Sequence, residues 1–144
     1  MKRILAFFAL LLAFISSAQQ WEASYDGALL LAQETDRPLV LVFAGSDWCA
    51  PCIKLEKEIW QSEDFKEYAS ENYVLYRADF PRKKKNQLPE KQAKANGELS
   101  GKFNPNGHFP LVVLLDSNER ILGTTSYKKL SSKEYITHLN SFLK

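Results

Sequence analysis

Apolar residues run without interruption in three places along this chain: Ile4 to Ile15, Leu39 to Ala44 and Leu111 to Leu115. The second and third are of strand length and rich in β-branched side chains, which predicts strands covered on both faces. The third continues as a strand to Asp116. Ser117-Asn118-Glu119 then turn the chain into a further strand over Arg120 to Thr125. YVLYRAD, Tyr73 to Asp79, predicts one more strand. Elsewhere the apolar positions take helical spacing. Ser24 to Thr35 carries Ala28, Leu29, Leu31 and Ala32 and reads as a helix, weakened by Gly27 and ended by Asp36-Arg37-Pro38. Cys49 to Trp60 reads as a second, with Ile53, Leu55, Glu56 and Ile59 along it. Ser62 caps a short helix through Tyr68. Pro89 opens another toward Phe103, with a soft spot at Asn96-Gly97, and Asn104 to Gly107 form a turn. Ser131 and Glu134 have capping-box spacing and start a last helix that runs to Leu143. Alternating helices and strands, then a hairpin and a closing helix, predict a single α/β domain.

The first apolar run stands apart from that domain. Lys2 and Arg3 precede it and Ser16-Ser17-Ala18 follow, the layout of a secretory signal peptide. A membrane span needs about 20 residues, more than this run supplies. The expected organisation is a signal peptide over residues 1–18, cleaved after Ala18, and one folded domain over 19–144, placing the protein in a periplasm or outside the cell. An uncleaved signal anchor is the alternative. Length, 144 residues, suits one domain, and 45% hydrophobic with 25% charged residues is ordinary for a globular protein. Cleavage takes Lys2 and Arg3 from the 19 basic residues and leaves as many as the 17 acidic ones. The net charge of +2 is therefore no argument for a nucleic-acid partner. Arg82 to Gln87 holds four consecutive basic residues, Arg82 to Lys85, and reads as a solvated loop; steering of an acidic partner is the other reading.

Export gives the two cysteines their meaning. Both lie in FAGSDWCAPC, as Cys49 and Cys52. Outside the cytosol disulfides persist. A bridge closing so small a loop restrains little of the unfolded chain, which argues against a structural staple. A zinc site needs four ligands, and the only histidines, His108 and His138, lie far apart in sequence and off ligand spacing. No metal and no cofactor are expected. A redox pair remains, at the point where a buried strand gives way to a helix.

DWCAPC resembles the active-site box of the thioredoxin superfamily, and HFPLVVLLD, His108 to Asp116, resembles the segment that carries the family's cis-proline, at Pro110. The stretch W…SYDGALLLAQETDRPLVLVFAGSDWCAPC is similar to a branch of exported thioredoxin-like proteins that includes the C-terminal domain of the transmembrane disulfide reductase. The likeness runs from about Trp21 to the end. It implies a thioredoxin fold: a central mixed β-sheet of about four strands flanked by helices. It also implies a thiol–disulfide oxidoreductase whose partners are protein disulfide substrates and a membrane or exported electron donor. A monomer is expected.

The chemistry implied places Cys49 at a helix N-terminus, where unpaired N–H groups and the helix dipole favour a thiolate. Cys49 is the expected nucleophile and Cys52, one turn deeper, the resolving thiol. Trp48 covers the active-site face, and Pro51 occupies the first turn without losing a needed donor. The resemblance makes the Phe109–Pro110 bond cis and sets Phe109 in the substrate groove, where relatives often carry a smaller residue; His108 reads as a surface turn residue. Relatives often place a buried Asp six residues before the first cysteine, and here that position is Phe43. Glu56, four residues after Cys52, lies one turn along the same face. Two readings of it stay open: proton acceptor for Cys52, or exposed, salt-bridged surface acid. Ala50-Pro51 is closer to the Gly-Pro of reductases than to the His-containing dipeptides of oxidants and isomerases. A non-catalytic thiol-dependent binding module, for example one handling copper, is the alternative of a different class.

Overall fold

The computed structural model describes residues 20–144; the apolar leader and its expected cleavage point lie outside them. Among the described residues no helix is long and apolar enough to cross a membrane. Helix α1 spans Tyr25–Thr35, with Ser24 as its N-cap, its hydroxyl accepting from the Gly27 N–H. Strand β1, Leu39–Ala44, is buried at every position, as its unbroken apolar run requires. Then come α2 (Ala50–Leu55), α3 (Glu63–Asn72), β2 (Val74–Asp79), α4 (Glu90–Phe103), β3 (Leu111–Leu115), β4 (Ile121–Thr125) and α5 (Ser132–Asn140). Short 3-10 turns cover Lys84–Asn86 and Ser141–Leu143.

The sheet order is β2-β1-β3-β4. β1 runs parallel to β2 and antiparallel to β3, and β4 returns antiparallel on β3 with a register shift at Leu114/Leu115. Alternation along β1 divides its side chains between two layers. Val40, Val42 and Ala44 face the layer that holds both cysteines, Leu55, Trp60, Phe65 and Leu139. Leu39, Leu41 and Phe43 face α1 and α4 through Ala28, Ala32, Leu99 and Phe103.

Three helices differ from the sequence expectation. The last, expected to run to Leu143, is α-helical only to Asn140 and ends in the 3-10 turn Ser141–Leu143. The helix expected over Cys49 to Trp60 is α-helical only to Leu55; Glu56–Trp60 form a π turn. The Gln61 N–H donates to the Glu56 carbonyl, five residues back, at 2.9 Å. The wider turn lets the neighbours Ile59 and Trp60 both face the core, and both are buried. The helix capped by Ser62 runs past Tyr68 to Asn72, because Phe65 and Ala69 share a buried face that a shorter helix would leave incomplete. The capping box forms as expected, with Ser131 and Glu134 each accepting from the other's backbone N–H.

Candidate active site

Cys49 is the N-cap of α2, and its Sγ accepts from the Cys52 N–H at 3.3 Å. The two cysteines are joined as a disulfide. Both are nearly covered, while Ala50 and Pro51 between them are exposed, so the pair is approached across the outer rim of the helix start.

The loop ahead of Cys49 is bound to the segment that follows β2. Backbone N–H groups of Trp48 and Cys49 donate to the Gly45 carbonyl. A Cβ on Gly45 would lie 2.2 Å from the Trp48 ring, so only glycine permits that turn beneath the indole. The N–H and hydroxyl of Ser46 both donate to the Asp79 carboxylate. Asp47 accepts from the N–H groups of Arg82 and Lys83 at 2.9 Å each and from the Asn86 side chain at 3.0 Å. These donors, the Arg82 N–H first, hold the Asp47 carboxyl below its ordinary range. Trp48 donates its Nε1–H to the Phe80 carbonyl at 2.7 Å; the Arg82 guanidinium lies 3.7 Å over its ring, and Phe109 meets it edge-on at 5.5 Å.

The Phe109–Pro110 bond is cis, as the resemblance implied, and Pro110 is buried. Its carbonyl accepts from the Ser126 hydroxyl, and the side chain of Asn104, nearly covered, bonds both the N–H and the carbonyl of exposed His108. Phe109 packs against Phe80 as well as Trp48, so three aromatic rings flank the approach to the pair.

Phe43 does not lie under the cysteines. It belongs to the opposite layer, and Val42 and Ala44 face Cys52. Period-two alternation excludes the sequence assignment of Phe43 to that place; the side chain that stands there is apolar.

Glu56 is half-buried, with its side chain 33% exposed. Its carboxylate pairs with Arg77 of β2 and accepts from Gln61 Nε2 at 2.6 Å. Arg77 in turn lies 4.4 Å over the ring of Trp21. A cavity of about 110 Å³ is lined by Cys52, Val42, Glu56, Arg77 and Pro110, among others. Glu56 thus carries the ion pair of one sequence reading and borders the space beside Cys52 required by the other. Sequence reasoning missed Asp47, Asp79, Arg77 and Arg82 as parts of the site. Their partners lie 21 to 35 residues away along the chain, and only the order of the strands brings them close.

Comparison with known proteins agrees with this geometry. A family described as thioredoxin-like matches residues 20–117. The disulfide bond reductase DsbH of Chlamydia pneumoniae is 36% identical over 125 residues, covering 87% of this chain and 73% of the relative. The thioredoxin-related protein DsbJ of the same organism is 33% identical over 100 residues, 69% of this chain but only 28% of that relative's length. A solved structure of a DsbH oxidoreductase superposes with a TM-score of 0.80 at 35% identity, covering 86% of this chain and 83% of the other. The oxidised C-terminal domain of Neisseria meningitidis DsbD gives a TM-score of 0.55 at 19% identity over 81% and 90%, a likeness of fold. The chain belongs to the thioredoxin-like family and is a thiol–disulfide oxidoreductase within it.

Proposed function

We propose that the protein is an exported reductase of protein disulfides, with Cys49 as nucleophile and Cys52 as resolving thiol. The observation that carries the reading is the pairing of Cys49 and Cys52 at the start of α2, in a chain 36% identical to a disulfide bond reductase over most of its length. In the reduced protein the Cys49 thiolate attacks one sulfur of a substrate disulfide. A mixed disulfide forms, and the first substrate thiolate leaves and takes up a proton. Cys52 then loses its proton and attacks Cys49 Sγ, and the second substrate thiolate departs. Two electrons pass to the substrate, and the protein is left with the Cys49–Cys52 bond seen here. A dithiol donor, membrane-bound or exported, must restore the reduced pair. The groove beside Trp48, Phe109 and Pro110 receives the substrate backbone, and the apolar leader directs export.

The absence of histidine between the cysteines, with Pro51 in the first turn, supports the reducing direction. The reduction potential is expected nearer about −270 mV, the thioredoxin value, than about −120 mV, the value for the oxidant DsbA. Equilibration with glutathione measures it, and a value above about −180 mV would place the protein among isomerases and oxidants.

Glu56 serves as the acceptor for the Cys52 proton in this scheme. A covered thiol resists ionisation because desolvation disfavours its charged form. The cavity shared by Cys52 and Glu56 has room for water to relay the proton. Arg77 of β2 holds the carboxylate in place at the edge of that cavity. Glu56→Gln is therefore expected to slow the resolving step about 10-fold, below the upper range for a general base, with the attack by Cys49 little changed. Stopped-flow measurement of the two steps tests this; resolution at the wild-type rate would reduce Glu56 to a partner of Arg77.

A further inference from the structure

Arg82, Lys83, Lys84 and Lys85 are consecutive, and no acid occurs between Phe80 and Glu90. All four are exposed. Among the described residues the ion pairs engage Lys66, Arg77, Lys102 and Arg120, and none of these four. A solvated basic loop is usually free to drift from the site. This one is fastened: Asp47, two residues before Cys49, accepts from the backbone of Arg82 and Lys83 and from Asn86, and the Arg82 guanidinium lies 3.7 Å over the Trp48 ring. One carboxylate thus ties the start of the basic run to the loop before Cys49, and it does so through the main-chain N–H groups of Arg82 and Lys83, so that no lysine ammonium of the run is taken up in an ion pair among the described residues.

We propose that Arg82 to Lys85 form a basic rim that draws in acidic polypeptide segments flanking a substrate disulfide. The inference rests on the reductase reading and adds to it a substrate class. The whole chain carries a net charge of only +2, whereas these four cations are consecutive and their first two residues are bound to the loop that leads to Cys49. Clefts and rims lined by one sign of charge raise association rates with oppositely charged partners by about 10- to 1,000-fold at low ionic strength. The aromatic strip from Trp48 to Phe109 adjoins the rim, so a peptide whose acidic flank meets the lysines has its disulfide next to the cysteine pair. That arrangement favours polypeptide over lipid as the anionic partner.

Two peptides with the same cyclic disulfide core, one flanked by four glutamates and one by four serines, test the rim against the reduced protein. In about 20 mM salt the glutamate peptide is expected to react about 10-fold faster, the low end of electrostatic steering. In about 1 M salt, where charges are screened beyond about 3 Å, the two rates should converge. Replacing Lys83, Lys84 and Lys85 together by serine should bring their ratio close to one at low salt. Equal rates at low salt, with the serine peptide reduced normally, would overturn the rim and leave the reductase reading standing. If neither peptide is reduced, the reductase reading fails. The rim is then judged by NMR titration with a cysteine-free octaglutamate. Salt-reversible shifts at the Lys83 to Lys85 amides and the Trp48 indole uphold it, and their absence overturns it. Lysine-dependent binding to phosphatidylglycerol vesicles without any preference for the glutamate peptide would assign the rim to lipid and overturn the proposal.

Discussion

Cys52→Ser is expected to turn the protein into a trap: it attacks substrate disulfides and then holds the product as a mixed disulfide. Cys49→Ser, by contrast, should abolish exchange altogether. The asymmetry follows from position. Cys49 occupies the N-cap of α2, where its sulfur receives the Cys52 N–H and where a negative charge meets the positive end of the helix. Cys52 lies within the first turn, packed against the layer that holds Leu55 and Trp60, and its sulfur is bonded to Cys49 in the oxidised state. In the Cys49→Ser variant no thiolate stands at the helix start. In the Cys52→Ser variant the first attack proceeds, but no second sulfur is present to displace the substrate. Non-reducing gels of the two variants after incubation with a disulfide-bonded protein give the answer. Equal trapping by both, or trapping by Cys49→Ser alone, would reverse the assigned roles.

Trp60→Ala is expected to cost about 3–5 kcal/mol of folding stability, the range for removing a large buried aromatic. Trp60 is 1% exposed, and its ring meets Trp21, Phe65 and Tyr135 at centroid distances of 5.9, 4.7 and 5.7 Å. Its loss would empty the junction between the π turn, α3 and α5 and leave three rings without a common neighbour. Trp60→Phe keeps most of that contact and should cost much less. Urea unfolding of the oxidised protein, read by circular dichroism, measures both. A loss under about 1 kcal/mol for the alanine variant, the size of an ordinary substitution, would mean that the neighbouring rings close over the gap.

The elements most legible in the sequence are those fixed by local pattern. Leu39 to Ala44 is a strand with the expected ends because a continuous apolar run bounded by Pro38 and Gly45 leaves few alternatives. Ser131 with Glu134 announces the start of α5 because both partners of the capping box lie within one turn. The π turn is hidden, since nothing local in Glu56–Trp60 distinguishes it from α-helix; it is the demand to bury both Ile59 and Trp60 that selects the wider turn. Within the site, the cysteines and Pro110 can be read from short motifs. Asp47 bound to Arg82, Ser46 bound to Asp79 and Glu56 bound to Arg77 cannot, because each pair becomes adjacent only when β2 is laid parallel to β1. The sequence reading sets Phe43 on the wrong side of the sheet for a related reason: counting back from Cys49 crosses a loop, and only the strand itself fixes which side chains face which layer.

The fastening of the Cys49 loop to residues beyond β2 also bears on the order in which the protein assembles. Ser46 waits for Asp79, Asp47 for Arg82 and Trp48 for Phe80, partners 33, 35 and 32 positions later in the chain. The ring of Phe109 arrives later still. Contacts of such separation form only after long loops have closed, and they belong to the slower part of folding. A nascent chain that has emerged only as far as α3 already carries both cysteines but none of these partners. At that stage Cys49 and Cys52 are two ordinary thiols near the growing end of an unfinished polypeptide, open to any oxidant or passing disulfide. Selective exchange begins only when the second half of the sheet has docked and the loop before Cys49 is held.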